Sequence, residues 1–341
     1  MKPPAAQARS PTPANPAMVA RLRARAGPGG VLSFRDFVNE ALYAPGLGYY
    51  ARPEVARVGR KPSNDFYTST SLGGGIFGRL VRAAAAALLA PEPLAKFALV
   101  EIGMEPGAGI FGGDAGDFAR TEAIRLGESL QVPSRSAVFA NEWLDAQPFH
   151  RFVFRGGAWR ELGVNVTGEF PAEIELPEFS PAALPLAPSL PETAPEGYHF
   201  DLSLDAEKIL GELVAPPWLG CLILADYGYD WVNLLGERPA GTARAYSHHQ
   251  VSGDLLAQPG QQDLTCHVCW DRLENVLREQ GFSEVRVERQ EAFFVRHSAR
   301  EIEEILSTNA GQFSPARQTL LELLHPSHLG QKFQILSARR K

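Results

Sequence analysis

Three short segments carry side chains whose types and spacing could do chemistry together. In the first, an apolar run from Leu99 ends in Glu101, and Gly103, Gly107 and Gly109 follow. Glycine lets backbone approach a ligand closely, and open α/β sheets bind ligands beyond the carboxyl ends of their strands. The second segment places Asn141, Glu142 and Asp145 after the apolar run Ala137 to Ala140, and the third places Asp226, Tyr227 and Tyr229 after Cys221 to Ala225. If the three runs are parallel strands, their carboxylates converge on one edge of the sheet. Each segment alone also reads as an ordinary turn with solvated acids.

The elements that would position these groups alternate along the chain. Phe97 to Ile102, Ala137 to Ala140 and Cys221 to Ala225 are near-continuously apolar, as buried parallel strands are. Helices are expected after Ser33 (through Phe34, Phe37, Val38, Ala41 and Leu42), over Ile76 to Leu89 and around Asn275 to Gln280. Late strands are expected over Glu284 to Val295 and Lys332 to Leu336, giving the sheet an antiparallel member. The alternation argues for a doubly wound α/β fold. Folded structure is expected from Val31, after a proline-rich, basic tail over residues 1–30 that ends in a short helix, Met18 to Ala26. Residues 31–95 read as a helical extension and residues 96–341 as the core. Around residues 165–200 lies a proline-rich insertion, with seven prolines from Pro171 to Pro195, read as an irregular excursion outside any sheet.

Composition removes other classes. The 341 residues carry 33 Lys+Arg against 39 Asp+Glu, a net charge of −6, which argues against non-specific nucleic-acid binding. Three cysteines exclude a disulfide scaffold and fit a reducing compartment. No apolar run approaches the ~20 residues of a membrane span. These features suit a bacterial cytoplasmic protein; the arginine-rich, acid-poor start also suits the mitochondrial matrix as an alternative.

The order of motifs resembles one family. Gly48-Tyr49-Tyr50, Asp65-Phe66-Tyr67-Thr68-Ser69, Phe77-Gly78, Val100-Glu101-Ile102-Gly103, Asn141-Glu142 with Asp145-Ala146, Asp226-Tyr227-Gly228-Tyr229, Gly241 to Tyr246, Asp263-Leu264-Thr265 and His267-Val268 all fall in sequence. In this the chain is similar to the MidA-type S-adenosylmethionine-dependent methyltransferases, which include the complex I assembly-factor enzymes of mitochondria. The resemblance implies a Rossmann-like class I methyltransferase sheet with an N-terminal helical extension and an inserted subdomain. It implies S-adenosylmethionine as cofactor, held by Asp65, Phe66, Thr68, Ser69, Glu101, Gly103, Gly107, Gly109 and Asn141. It also implies an arginine on a partner protein as acceptor, with Glu142, Asp145 and Asp226 as catalytic groups. A guanidinium presents a planar fork of donors that carboxylates can hold.

Three departures stand out. Glu105 and Pro106 lengthen the glycine loop and bring in an extra carboxylate. The stretch after Gly109 is too short for the usual strands and crossovers: Ile124 to Leu130 resembles the family's third strand and turn, so the second strand is expected to be missing. Glu128 is then the stand-in for the acid that usually binds the ribose. Cys266 and Cys269 form a C-x-x-C where the family has an aspartate; without a second pair, no metal site is expected. His248 and His249 read as a packed or partner-facing pair. Two functions stay open: methyl transfer, and a degenerate relative that binds its partner without using the cofactor.

Overall fold

A computed structural model describes residues 15–27, 29–52, 69–104, 109–236, 238–247, 250–308 and 314–341. Asp65, Phe66, Thr68, Gly107, Glu105, Pro106, His248 and His249 lie outside the described residues, and for Ser69 only the backbone, at the start of a helix, is described.

The largest sheet has six strands: β1 (Ala98–Ile102), β2 (Arg120–Ile124), β3 (Arg135–Asn141), β4 (Leu219–Asp226), β5 (Ser283–Arg289) and β6 (Gln334–Arg340). Their order across the sheet is β5-β6-β4-β3-β1-β2. The neighbours β2, β1, β3 and β4 are parallel, whereas β6 runs antiparallel to both β4 and β5. The expected α/β sheet with a late antiparallel member is therefore present. Side chains alternate between two apolar layers, as a period of two requires. Leu99, Phe139 and Ile223 meet Phe77, Leu80 and Val81 of the helix Ser69–Leu89, while Val100, Val138 and Leu222 meet Leu210, Leu213 and Leu273 from the helices Leu204–Val214 and Trp270–Glu279. Burial on both faces explains why these strands read as unbroken apolar runs.

Several expectations are corrected. The second strand is not missing: β2 pairs directly with β1, Ala98 opposite Arg120 through Ile102 opposite Ile124, and among the described residues β2 is the outermost strand on that side. The connection from β1 to β2 holds turns in its described part. It buries Ile110, Phe111 and Phe118 against the helix Ser69–Leu89. Gly78 permits this approach, since a Cβ there would lie 2.1 Å from the Ile110 carbonyl oxygen. The strand expected to run to Val295 stops at Arg289, and Gln290–His297 is helical because Phe293 and Phe294 both turn into the same core layer.

Order also begins before Val31. The helix Pro16–Arg25 buries Met18 and Leu22, and Arg21 and Arg25 clamp the buried Glu40 at 2.8 and 2.9 Å. Val31–Ser33 is a strand, so the N-terminal region is not purely helical; Ser33 caps Phe34–Tyr43 by accepting the Asp36 N–H at 3.0 Å. A second, antiparallel sheet joins Val31–Ser33, Ala158–Asn165, His150–Arg155 and His199–Leu202. Ala172–Glu175 pairs with Ala158–Asn165, which places part of the proline-rich stretch in a sheet after all.

Phe139 is a sensitive point of the core, with ring contacts to Phe77 at 5.7 Å and Phe111 at 6.3 Å. Phe139→Ala should destabilise the fold by about 3–5 kcal/mol. Urea denaturation would reveal this, and a loss well under 1 kcal/mol would show that this layer repacks freely.

Candidate active site

Parallel register brings the strand ends together. Ile102 pairs with Ala140, and Asn141 pairs with Ala225. The ends of β1, β3 and β4 therefore share one edge of the sheet, carrying Glu101, Asn141, Glu142 and Asp226 as expected from their positions.

Asp226 organises the centre. It is 1% exposed and accepts backbone N–H groups from Leu144 (3.0 Å), Asp145 (3.2 Å) and Tyr227 (2.8 Å). Burial nevertheless outweighs these bonds and pushes its carboxyl up to about 7. Asp145, 3% exposed, is raised well above the usual carboxylate range by burial first and then by Asp226, Glu142 and Asp263. Its Oδ1 is buried without a hydrogen-bond partner, and so is Oδ1 of Asn141. The Asn141 amide donates to Glu142 Oε1 at 2.8 Å, while the Glu142 N–H reaches the Ala225 carbonyl at 2.9 Å. Glu142 has φ 49°, a left-handed conformation that costs a non-glycine residue free energy and recurs at functional sites.

Aromatic rings enclose these acids. Burial raises the hydroxyls of Tyr43, Tyr50, Tyr227 and Tyr246, and the charge of Asp145 adds to each shift. Tyr43 donates to the Ala146 carbonyl at 2.8 Å. Tyr227 leans on Phe333 at 4.1 Å and stacks toward His267 at 6.2 Å. His267 is held neutral, down to about 4, by burial and then by Arg238 and Arg244; its Nδ1 is buried without a partner. Asp226 and Tyr227 stand out in the sequence as candidate site residues, whereas Asp263, Tyr43, Tyr50, Tyr246 and His267 do not. The motifs holding Asp263 and His267 were visible, but they lie in turns and short strands far along the chain, where nothing local signals the pocket.

Beside this pocket a cavity of about 390 Å³ is lined by Glu101, Met104, Gly109, Phe111, Thr121 and Glu122 among others. Glu101 is 6% exposed, among the described residues its carboxylate accepts only the Ile110 N–H at 3.1 and 3.3 Å, and burial raises it to about 7. A buried carboxylate with one weak donor fits a cationic ligand group. Gly103 adopts φ 74° and donates its N–H to Ile124 at 2.9 Å, closing the turn onto β2. The first residue past β2 is Arg125. Glu128 does not line the cavity: it accepts the Arg125 N–H at 2.7 Å and is half exposed. Cys266 and Cys269 pack into different apolar clusters, and among the described residues there is no grouping that could hold a metal ion.

The two buried acids carry a stability cost whose sign is fixed. Their folded-state values lie above the unfolded ones, so the fold is penalised as pH rises from about 4 toward and beyond 7. Asp145→Asn should therefore raise the melting temperature at pH 8 more than at pH 5. Equal shifts at the two pH values, measured by scanning fluorimetry, would refute this account.

Residues 120–287 match the family described as "Putative S-adenosyl-L-methionine-dependent methyltransferase". The protein arginine methyltransferase NDUFAF7, mitochondrial, of Rattus norvegicus is 24% identical over 371 residues, covering 90% of this chain and 81% of the relative. That of Mus musculus is 25% identical over 372 residues, with the same two coverages. In fold, the chain is similar to a protein from Burkholderia thailandensis solved bound to S-adenosyl-homocysteine, with TM-score 0.79, 24% identity, and 95% of this chain and 92% of that one covered. A native structure from the same organism gives TM-score 0.75 at 23% identity, with 95% and 91% covered. The sheet order, the motif order and the relatives agree: in all three the chain is similar to the MidA-like S-adenosyl-L-methionine-dependent methyltransferases.

Proposed function

We propose that this protein transfers a methyl group from S-adenosylmethionine to an arginine side chain of a partner protein. The observation that carries this reading is the pair of buried acceptor oxygens, Asp145 Oδ1 and Asn141 Oδ1, left without a donor among four mutually repelling carboxylates. An unpaired buried acceptor costs about 1–3 kcal/mol, so the site is built for an occupant rich in donors and positive charge. A guanidinium supplies five N–H donors in one plane. The relatives named as protein arginine methyltransferases support the same acceptor.

When bound, S-adenosylmethionine supplies a methyl group already activated on a positively charged sulfur. Glu101 and the turn at Gly103 and Gly109 would hold its charged end. Glu142 and Asp145 would grip the guanidinium fork and fix one nitrogen toward the methyl carbon, since alignment is the main demand of a direct displacement. A guanidinium nitrogen that accepts the methyl group would have a proton to give up. Burial holds both Asp145 and Asp226 above the usual carboxylate range; beside a bound cation, an ionised member of this pair would take up the proton. Asp226 acts by holding the turn that carries Asp145.

Glu128, bound to Arg125, holds the turn after β2 in this reading and contributes little to the cofactor. Glu101→Gln should weaken S-adenosylmethionine binding by about 10–100-fold, the equivalent of one charge-assisted hydrogen bond. Glu128→Gln should leave it within about threefold. Isothermal titration measures both; no binding to the unaltered protein would replace this reading with partner binding alone.

Glu142→Gln keeps the hydrogen bond from Asn141 and removes the charge. Transfer of labelled methyl groups to protein arginine, read as methylarginine after hydrolysis, should fall by about two orders of magnitude while cofactor affinity holds. Full activity in this variant would remove Glu142 from the mechanism.

A further inference from the structure

The acid-lined pocket is bordered by charge of the opposite sign. Arg244 and Tyr246 lie on one face of the strand Arg244–Ser247, opposite Thr265 and Asp263, whereas Ala245 and Leu264 pack into the core on the other face. The Tyr246 hydroxyl lies in the combined field of Asp145, Asp263, Arg244 and Glu142, so this one ring spans the acidic and basic regions. A second line of contacts runs outward through rings. Tyr227, beside Glu142 and Asp145, stacks toward His267; His267 tilts over Tyr229 at 5.1 Å; and the Arg238 guanidinium sits 4.9 Å over Tyr229 while donating to its hydroxyl.

Both guanidinium groups are still available. Arg35, Arg79, Arg82, Arg151 and Arg272 each meet a carboxylate. Among the described residues Arg238 and Arg244 meet none: Arg238 holds Tyr229, and Arg244 donates from one nitrogen to the Gly241 and Ala243 carbonyls. Arg238 is exposed and Arg244 is half-buried. His267 between them is neutral and cancels neither charge.

We propose that the partner segment carries an aspartate or glutamate next to its target arginine, and that Arg238 and Arg244 recognise that carboxylate. This rests on the arginine reading above and adds the sequence context of the acceptor. Without the two arginines, an acidic neighbour would be repelled by Glu142, Asp145, Asp226 and Asp263. With them, the segment meets alternating charge that matches its own. A run of basic residues, which an acidic pocket alone would attract, is repelled at the border. The arrangement thus selects a single arginine in an acidic setting and also fixes the register in which it enters.

The experiment is a titration of the purified protein with four short peptides. Two carry arginine, flanked on both sides by glycine or by aspartate; the other two replace that arginine with citrulline, its uncharged analogue. The aspartate-flanked arginine peptide should bind about fivefold more tightly than its glycine counterpart, as expected for exposed ion pairs. That advantage should shrink as salt rises from about 0.02 to about 0.3 M. It should vanish in the double variant Arg238→Gln, Arg244→Gln, whose affinity for the glycine-flanked arginine peptide should be unchanged. Equal binding of the two arginine peptides at low salt, or an acidic advantage that survives in the double variant, overturns the proposal. Citrulline peptides that bind as well as arginine peptides overturn the arginine reading instead, and no binding by any peptide overturns both.

Discussion

A single carboxylate accepting backbone N–H groups sets the geometry on which the rest of the site depends. Asp226 ends the central strand β4 and ties down Leu144 and Asp145, which belong to the turn after the neighbouring strand β3. Because β3 and β4 are parallel and in register, the turn has to fold back over Asp226. Glu142 takes up the strain of that reversal in its positive φ, and Asp145 is delivered into the apolar interior beside a second acid. Asp226 is compensated in part by the N–H groups it accepts, whereas burial beside it costs Asp145 stability that its own contacts do not restore. Buried acids of this kind cost stability, the usual exchange at active sites.

The same sheet shows what the fold can lose. Among the described residues β2 is its outermost strand on one side, and the described part of the connection from β1 to β2 holds turns where a helix would ordinarily pack. Three apolar side chains, Ile110, Phe111 and Phe118, fill the gap against the helix Ser69–Leu89. The strand left at the edge is short and presents Arg120 paired to Glu122 at 2.6 Å; charge on an edge discourages pairing with other chains. What the shortening leaves intact is the β1 end with Glu101 and the register that aligns β1 with β3.

Much of this was legible in the residues themselves. The strands β1, β3 and β4 declare themselves because burial on both faces demands unbroken apolar runs, and the acids that follow them mark the edge where they end. Ser33 announces its helix through a capping hydroxyl. The second sheet was missed because its strands sit among prolines and turns, where the alternation in His150–Arg155 and Ala158–Asn165 is short. The strand β2 was misassigned for a related reason: Arg-Thr-Glu-Ala-Ile, at a half-exposed edge, lacks the apolar run that marks its neighbours. Asp263, Tyr43, Tyr246 and His267 reach the pocket from segments more than two hundred residues apart, and only tertiary structure brings them together.

That dispersal has a consequence for how the site is held. Tyr43 lies on the helix Phe34–Tyr43 and reaches Ala146, the residue after Asp145, with its hydroxyl. The helix is fixed in turn by its Glu40, which is buried between Arg21 and Arg25 of the helix Pro16–Arg25. Glu40 is buried although both arginine side chains are partly exposed, so removing them leaves a buried charge uncompensated. The first helix therefore acts on the acid-lined pocket through two links, without touching it. The six-stranded sheet supplies the strand ends, while the aromatic wall of the acid-lined pocket belongs in part to elements packed around the sheet. Removing those elements would leave the sheet's core layers largely intact and its catalytic edge open to water, where buried carboxylates lose the low-dielectric setting that gives them their grip on a cation.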